Sequence, residues 1–372
     1  GLVAQPYIET TTAAVYEGIT DNLPRLDYSG GASCPSLKLE PSRTNLIPQS
    51  EYFDSGYTFT NVTTAANAAI SPEGVSNAYE MTDDATNGNH RFIRQITGNT
   101  IGQSYTYSIF LKKGTMTNAF LNLFSAGTIA SVNVDLENGT ISGVSGTSQT
   151  IEYYGNDWYR CSITGVAGDP SVFIYLYMNS IAGYVGAGDN MYIYGAQLEE
   201  GSYPTSYIPT YGTSASRAVD DCEVTGVSDL IGQSEGTMFL DFVPKDKEFQ
   251  IIFQVRTTGS SNVGQIDFRY QSSYLRAFGS DNGSTQFSVL GGDIVVGQRY
   301  KCAVRYAEND VAFYVNGSLA GTDASASFSI SSYQQISFSE NTNNFYPNAE
   351  IKQALLFKTP LTNAELAALT TI

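Results

Sequence analysis

The chain has 372 residues, 42% hydrophobic and 15% charged, with 26 Tyr, 19 Phe and 35 Gly, enough apolar mass for two ordinary cores. Lys and Arg total 19 against 36 Asp and Glu, and the net charge of -17 repels nucleic-acid backbones and anionic lipid, so no nucleic acid is expected as a partner. The longest apolar stretch, 172–178, falls far short of the roughly 18–20 residues that cross a bilayer, so no membrane insertion is expected.

Residues 1–47 hold Pro6, Pro24, Pro35 and Pro41, the pair Gly30 and Gly31, and no sustained period, which reads as an extended arm. No basic region precedes an apolar stretch at the start, so no secretory leader is expected. Alternating strands follow over 105–112, 119–124, 129–136, 158–164, 172–178 and 191–198, with Gly, Asn and Ser between them. The stretch 201–212, with Pro204 and Pro209, can neither join a central sheet nor continue a helix, and a domain boundary is placed there. A second series of strands runs from 237 to 357. Within it Asn316-Gly317 separates two apolar runs, the signature of a type I′ hairpin. Thr362 and Glu365 precede Leu366 and Leu369 as a capping box, predicting a short helix. The expected fold is all-β: two β-sandwich or jelly-roll domains in tandem, 48–212 and 213–372, after an arm over 1–47. Cys34, Cys161, Cys222 and Cys302 are too scattered for a disulfide scaffold or a zinc site and are expected as buried thiols.

The residue types needed for hydrolysis are not arranged for it. Acidic residues at even spacing on one strand are missing, and the adjacent pairs Asp83-Asp84, Glu199-Glu200 and Asp220-Asp221 read as solvated loop charges. The single histidine, His90, lies in a turn-like stretch and reads as an exposed loop or edge residue. Glycine-rich segments lack the Lys and the following helix of a phosphate loop. Sugars need flat apolar faces with a few amides, and here the palette is present. On the strand 172–178, Phe173, Tyr175 and Tyr177, with Asn179 beyond them, share one face, while Val172, Ile174, Leu176 and Met178 share the other. Tyr192 and Tyr194 make a similar set, so Tyr175, Tyr177, Tyr192, Tyr194 and Asn179 are candidate carbohydrate-binding residues. Packing of these rings in a second layer or at a subunit interface is the competing reading. Trp158 is expected to be partly buried.

Three stretches carry a resemblance to a known family. They are Pro24-Arg25-Leu26-Asp27-Tyr28 through Cys34-Pro35 to Leu39-Glu40-Pro41-Ser42-Arg43-Thr44-Asn45-Leu46; Asn156-Asp157-Trp158-Tyr159-Arg160-Cys161; and Tyr192-Ile193-Tyr194-Gly195-Ala196-Gln197-Leu198-Glu199-Glu200-Gly201, continuing through Tyr203-Pro204-Thr205-Ser206-Tyr207-Ile208-Pro209-Thr210. Together they resemble tailed-bacteriophage head-spike or tail-fibre proteins whose domains are similar to carbohydrate-binding modules. From about 216 onward the chain resembles a concanavalin-like, laminin-G-type jelly roll. The resemblance implies a non-enzymatic structural protein at the virion surface, assembled in the host cytoplasm, with other virion proteins and host-surface or environmental glycans as partners. Fibres of this type are usually homotrimers. It requires no cofactor, but modules of this kind often hold a structural calcium, and Glu51 and Asp189 sit at matching places. The competing functions are a ligand-free capsid decoration module and accessory domains of a secreted polysaccharide-degrading enzyme.

Overall fold

The computed structural model describes residues 25–27, 35–247, 249–258, 264–271, 273–328, 332–338 and 347–372. They divide into two units, one formed by Ser42–Ala218 and one by the described part of 1–41 together with Val219–Ile372. Along the chain the first is therefore an insertion in the second.

The inserted unit is a sandwich of two six-stranded antiparallel sheets. The first runs Thr140–Ser145, Thr128–Asp135, Asn118–Phe124, Ser171–Met178, Arg91–Thr97, Thr58–Thr60. The second runs Ser148–Gly155, Trp158–Val166, Ser104–Lys113, Asn190–Glu200, Ser76–Asp83, Val62–Ile70. The period-2 alternation does what it predicts: Val172, Ile174, Leu176 and Met178 from the first sheet meet Ile109, Leu111, Met191, Ile193 and Leu198 from the second in one buried core. Each such side chain contributes about 1.5–3 kcal/mol by leaving water.

The strand Asn190–Glu200 carries a register shift between Tyr194 and Gln197. Gly195 sits there at φ 60, and a Cβ on it would approach Phe110 Cδ2 at 3.0 Å and the Tyr207 ring at 3.1 Å, so the bulge needs glycine twice over. The residues after the bulge form a buried polar clasp. Asn45 donates to the carbonyls of Ala196 and Ile208 and accepts from the amides of Ile47 and Leu198. Gln197 accepts from Ile208 N at 2.7 Å and donates to Glu199 at 2.7 Å, while Thr205 donates to Glu199 from both its amide and its hydroxyl. Several of the motif residues of 39–46 and 192–210 thus act architecturally, fastening the proline-containing segment to the sandwich. Glu199, expected as a solvated charge, is fully buried because these donors and Arg43 at 3.8 Å replace its water. The unit's entry and exit strands, Arg43–Asn45 and Ala215–Arg217, pair antiparallel.

The other unit is also a sandwich. Its seven-stranded sheet runs Leu26–Asp27, Ser36–Leu39, Ala349–Phe357, Gly236–Pro244, Tyr300–Tyr306, Val311–Val315, Ser318–Asp323, and its six-stranded sheet Glu223–Thr225, Gln335–Ser337, Gln250–Arg256, Gly264–Gln271, Tyr274–Asp281, Ser284–Asp293. Met238, Leu240, Phe242, Phe253, Phe268, Val304 and Phe313 fill the space between. The expected hairpin is present, with Asn316 at φ 49 and Gly317 at φ 81. The helix Asn363–Thr370 is closed by the Thr362/Glu365 capping box and sets Leu366 against Phe239, Ala303, Ala312 and Tyr314.

Three expectations need correction. The described part of the expected arm supplies strands: Ser36–Leu39 pairs with Ala349–Phe357, and Arg43–Asn45 belongs to the inserted unit. Two short strands between prolines show no period, and the partners lie far along the chain. The stretch 201–212 is not the domain boundary either, since the clasp holds it within Ser42–Ala218. Trp158 is 1% exposed, its indole N–H donating to Ile70 O at 2.9 Å. Cys161 and Cys302 are buried free thiols and Cys222 is a partly buried one; Cys34 lies outside the described residues.

Candidate functional site

The outer face of the inserted unit's first sheet is read from its register. Across neighbouring strands Asn133, Phe120, Tyr177 and Arg91 form one row, and Ser131, Asn122, Tyr175 and Ile93 the next. Phe124, Phe173 and Gln95 extend the surface. The rings of Tyr175 and Tyr177 stack at 5.8 Å and 10°. Phe120 meets Tyr177 edge-on at 5.8 Å, and Phe124 meets Tyr175 edge-on at 6.4 Å. The Arg91 guanidinium lies 5.5 Å from the Tyr175 ring centre and 5.2 Å from that of Tyr177, and its Nη1 donates to the Tyr177 hydroxyl at 2.7 Å.

Burial divides the face into floor and wall. Tyr177, Phe120 and Asn122 are buried by their neighbours, whereas Tyr175, Phe124, Phe173 and Arg91 are half-buried and Gln95 and Asn133 exposed. Burial raises the Tyr175 hydroxyl above its usual pKa, with the Tyr177 hydroxyl adding and Arg91 opposing, so it stays a neutral donor. Asn122, 4% exposed, has an Oδ1 with no hydrogen-bond partner. Leaving such an acceptor unmet costs about 1–3 kcal/mol. The face combines aromatic planes, one cation, amides and an unmet acceptor, the set that binds a ring carrying hydroxyls.

The five tyrosine and asparagine candidates do not form one platform. Tyr175 and Tyr177 belong to the first sheet, Tyr192 and Tyr194 to the second, and the shared core between the sheets turns the two pairs' faces away from each other. Tyr192 and Tyr194 instead join Ala78, Phe110, Trp158 and Tyr207 in a secondary apolar cluster, where Tyr194 is 1% exposed. Consecutive strands in the chain lie in different sheets here, which alternation alone does not reveal. Asn179, at φ 60 just past the strand end, donates its amide to Asn118 O at 2.9 Å and stands at the rim of the first face. Arg91, Asn122, Phe120 and Phe124 were missed; the alternation of 118–124, with Phe120, Asn122 and Phe124 opposite Ala119, Leu121 and Leu123, carries the signal for three of them.

Glu51 and Asp189 are not brought together. Glu51 is buried beside the Tyr207 and Tyr211 hydroxyls, which donate to it at 3.3 and 3.1 Å, and loss of water, with the nearby Glu73 charge adding, raises its pKa. Asp189 precedes the other end of the strand whose Ala196 amide donates to Ser50 O, about 20 Å of extended chain away. Among the described residues no cluster of three or more metal-ligating side chains occurs. Asp189 instead donates its amide to Asp83, whose Oδ1 also accepts from Ala187 and Gly188, while Tyr184 donates to its Oδ2 at 2.7 Å. Asp83, expected as a solvated charge, is thereby a buried loop anchor. His90, expected at the surface, is fully buried: its ring lies 4.4 Å from that of Tyr184, and Gly186 passes so close that a Cβ would meet His90 Nε2 at 2.9 Å.

A polar cleft of about 380 Å³ between Arg43, Asn99, Tyr105 and Glu200 lies apart from the aromatic face. No protein-family model matches the chain, and no curated protein matches it. Among solved structures it is similar to the CBM40 of a Ruminococcus gnavus IT-sialidase bound to α2,3-sialyllactose, at 12% identity and TM-score 0.35, covering 41% of this chain and 97% of that one. It is also similar to native heptameric SAP-like pentraxin from Limulus polyphemus, at 18% identity and TM-score 0.33, covering 37% and 70%. Domains LG4-5 of mouse laminin α1 align at 8% identity and TM-score 0.27, covering 84% and 91%. Scores this low add nothing to the sandwich assignment, which stands on the strand order and register above.

Proposed function

We propose that the chain is a non-enzymatic glycan-adhesion protein, and that the face bearing Tyr175, Tyr177, Arg91 and Asn122 is its binding surface. One observation carries the reading: a half-buried tyrosine, stacked on a buried one and flanked by an arginine and an amide, faces away from the core. A sugar ring lays its carbon-bound hydrogens on Tyr175 and offers a hydroxyl to Asn122. A single shallow site of this kind gives affinities near the millimolar range, about -4 kcal/mol, and useful strength comes from many copies on one particle. The sequence resemblance supports display on a tailed-phage virion, as a homotrimeric head or tail fibre, without a required cofactor.

The test is a glycan array probed with the full chain and with Tyr175→Ala. Binding that falls in the variant while its melting temperature holds supports the face; an array silent for the parent chain removes it. Light scattering at monomer mass for the full chain counts against the trimer. Capsid, portal and tail genes beside the coding sequence support the virion role, and their absence counts against it.

A further inference from the structure

We infer that the sugar taken by this face carries a carboxylate, as a uronic acid does, and that Arg91 holds it; the inference rests on the glycan reading above and narrows it. In this acidic chain Arg25, Arg43, Arg256, Arg269, Arg299 and Arg305 each face a carboxylate. Arg91, like Arg94, Arg160 and Arg276, has none among the described residues, and it lies against the half-buried Tyr175 ring on the aromatic face. Its Nη1 is committed to the Tyr177 hydroxyl at 2.7 Å. Its Nε is buried with no partner, and its Nη2 bonds nothing among the described residues.

The unmet groups therefore form one edge of the guanidinium, the Nε–Nη2 edge. That edge is the one a carboxylate grips with two parallel bonds. The chain uses it twice elsewhere: Arg299 takes Asp241 through Nε at 2.8 Å and Nη2 at 2.5 Å, and Arg269 takes Asp267 through Nε at 2.6 Å and through Nη2. Arg91 carries the same fork with no acid of the described chain on it; its Nε is shielded from water and its Nη2 is the nitrogen of that edge that a ligand acid meets first. The stacked tyrosines below hold the guanidinium plane, so little side-chain freedom is lost when the acid arrives.

The rest of the face fits the same ligand. Arg91 and Asn122 lie on strands flanking that of Tyr175, two strand spacings across and two residues along, about 12 Å between backbones. A carboxylate on one edge of a sugar reaches the cation, the ring covers Tyr175, and a hydroxyl from the other edge reaches Asn122. The net charge of -17 selects against a densely sulfated or phosphorylated polymer, whose many charges feel the whole protein. One carboxylate at contact with Arg91 feels mainly its partner, since more distant charges are screened beyond about 8 Å at physiological salt.

The experiment uses the full chain on an array of oligosaccharides in matched pairs that differ only in a C6 carboxylate against a C6 hydroxyl, followed by calorimetry on the best pair. The acid member should bind about tenfold tighter, as a hydrogen-bonded ion pair does. Arg91→Gln should erase that preference, the acid member of the pair losing about tenfold more affinity than the neutral one; Arg91→Lys, a point charge without the fork, should restore only part of the preference. Neutral sugars binding as well as acidic ones, or an acid preference that survives Arg91→Gln, overturns the inference while leaving the glycan reading standing. An array silent for both members of every pair overturns both.

Discussion

Both sheets of the inserted sandwich turn aromatic residues away from the shared core, yet one outer face is covered and the other open. On the second sheet Phe110, Trp158 and Tyr194 are 3%, 1% and 1% exposed, with Tyr207 and the end of the strand Val62–Ile70 lying against them. On the first, Tyr175, Phe124 and Phe173 are only half-buried, and no comparable apolar cluster forms over them among the described residues. The two faces share the same alternation in sequence. What separates them is chain arriving from elsewhere: the clasp built on Asn45, Gln197 and Glu199 fixes the segment that carries Tyr207. An aromatic stripe facing away from a core becomes a second core or a binding face according to whether another segment is tied down over it.

That contrast can be broken first by truncation on the covered face. Trp158→Ala should cost about 3–5 kcal/mol, read as a large drop in melting temperature, with glycan binding kept below the transition; a shift no larger than that of a surface change would mean the face is not a core. On the open face Tyr175→Ala should lower glycan affinity up to about tenfold, for a lost stacking contribution of about 0.5–1.5 kcal/mol, with little change in melting. If it destabilises as much as Trp158→Ala, the two faces are alike after all.

A control in the other unit sharpens the comparison. Thr362→Ala removes the capping box and should cost about 1 kcal/mol of that unit's stability while leaving glycan affinity unchanged; an altered affinity would show that the test reads general stability rather than the face. The smallest expected effect belongs to Glu51, beside the covered cluster. Its folded pKa lies above the ordinary 4.5 because burial penalises the charged form. Below pH 4.5 both folded and unfolded chains hold the proton and nothing is lost; as the pH rises toward the folded pKa, the unfolded chain ionises first and stability falls. Glu51→Gln should therefore raise the melting temperature at about pH 7 and make no difference near pH 4. An unchanged melting temperature at neutral pH would mean the Tyr207 and Tyr211 hydroxyls fully offset the burial.

Much of this was legible in the sequence, for reasons that show where legibility ends. The core side of the strand Ser171–Met178, the Asn316-Gly317 turn and the Thr362 cap are local: a period of 2, a pair tolerant of positive φ, and two residues three apart decide them. Only one half of the candidate face was readable, because alternation gives the side of a strand but not the sheet it joins, and Tyr192 and Tyr194 went to the other sheet. His90 looked exposed because its own neighbours are polar; Gly186, close by in space and far along the chain, covers it. The polar residues of the clasp were visible as a motif, but what they do depends on meeting across more than 150 positions, as Asn45 and Ile208 do.

The pairing of Leu37 with Ile351 also sets the order of assembly. The strand Ala349–Phe357 lies between Ser36–Leu39 and Gly236–Pro244 in its sheet, so that sheet cannot close until residues near 350 leave the ribosome. Ser42–Ala218 is continuous in sequence, with its ends paired, and all its strands emerge long before then. During synthesis the inserted sandwich is complete in sequence and free to fold first, and the strand just upstream then has an unmet edge until the intervening chain is made. Moving Ser36–Leu39 to follow Phe357, by permuting the chain, would remove that wait, and the yield of soluble protein at high expression would rise accordingly.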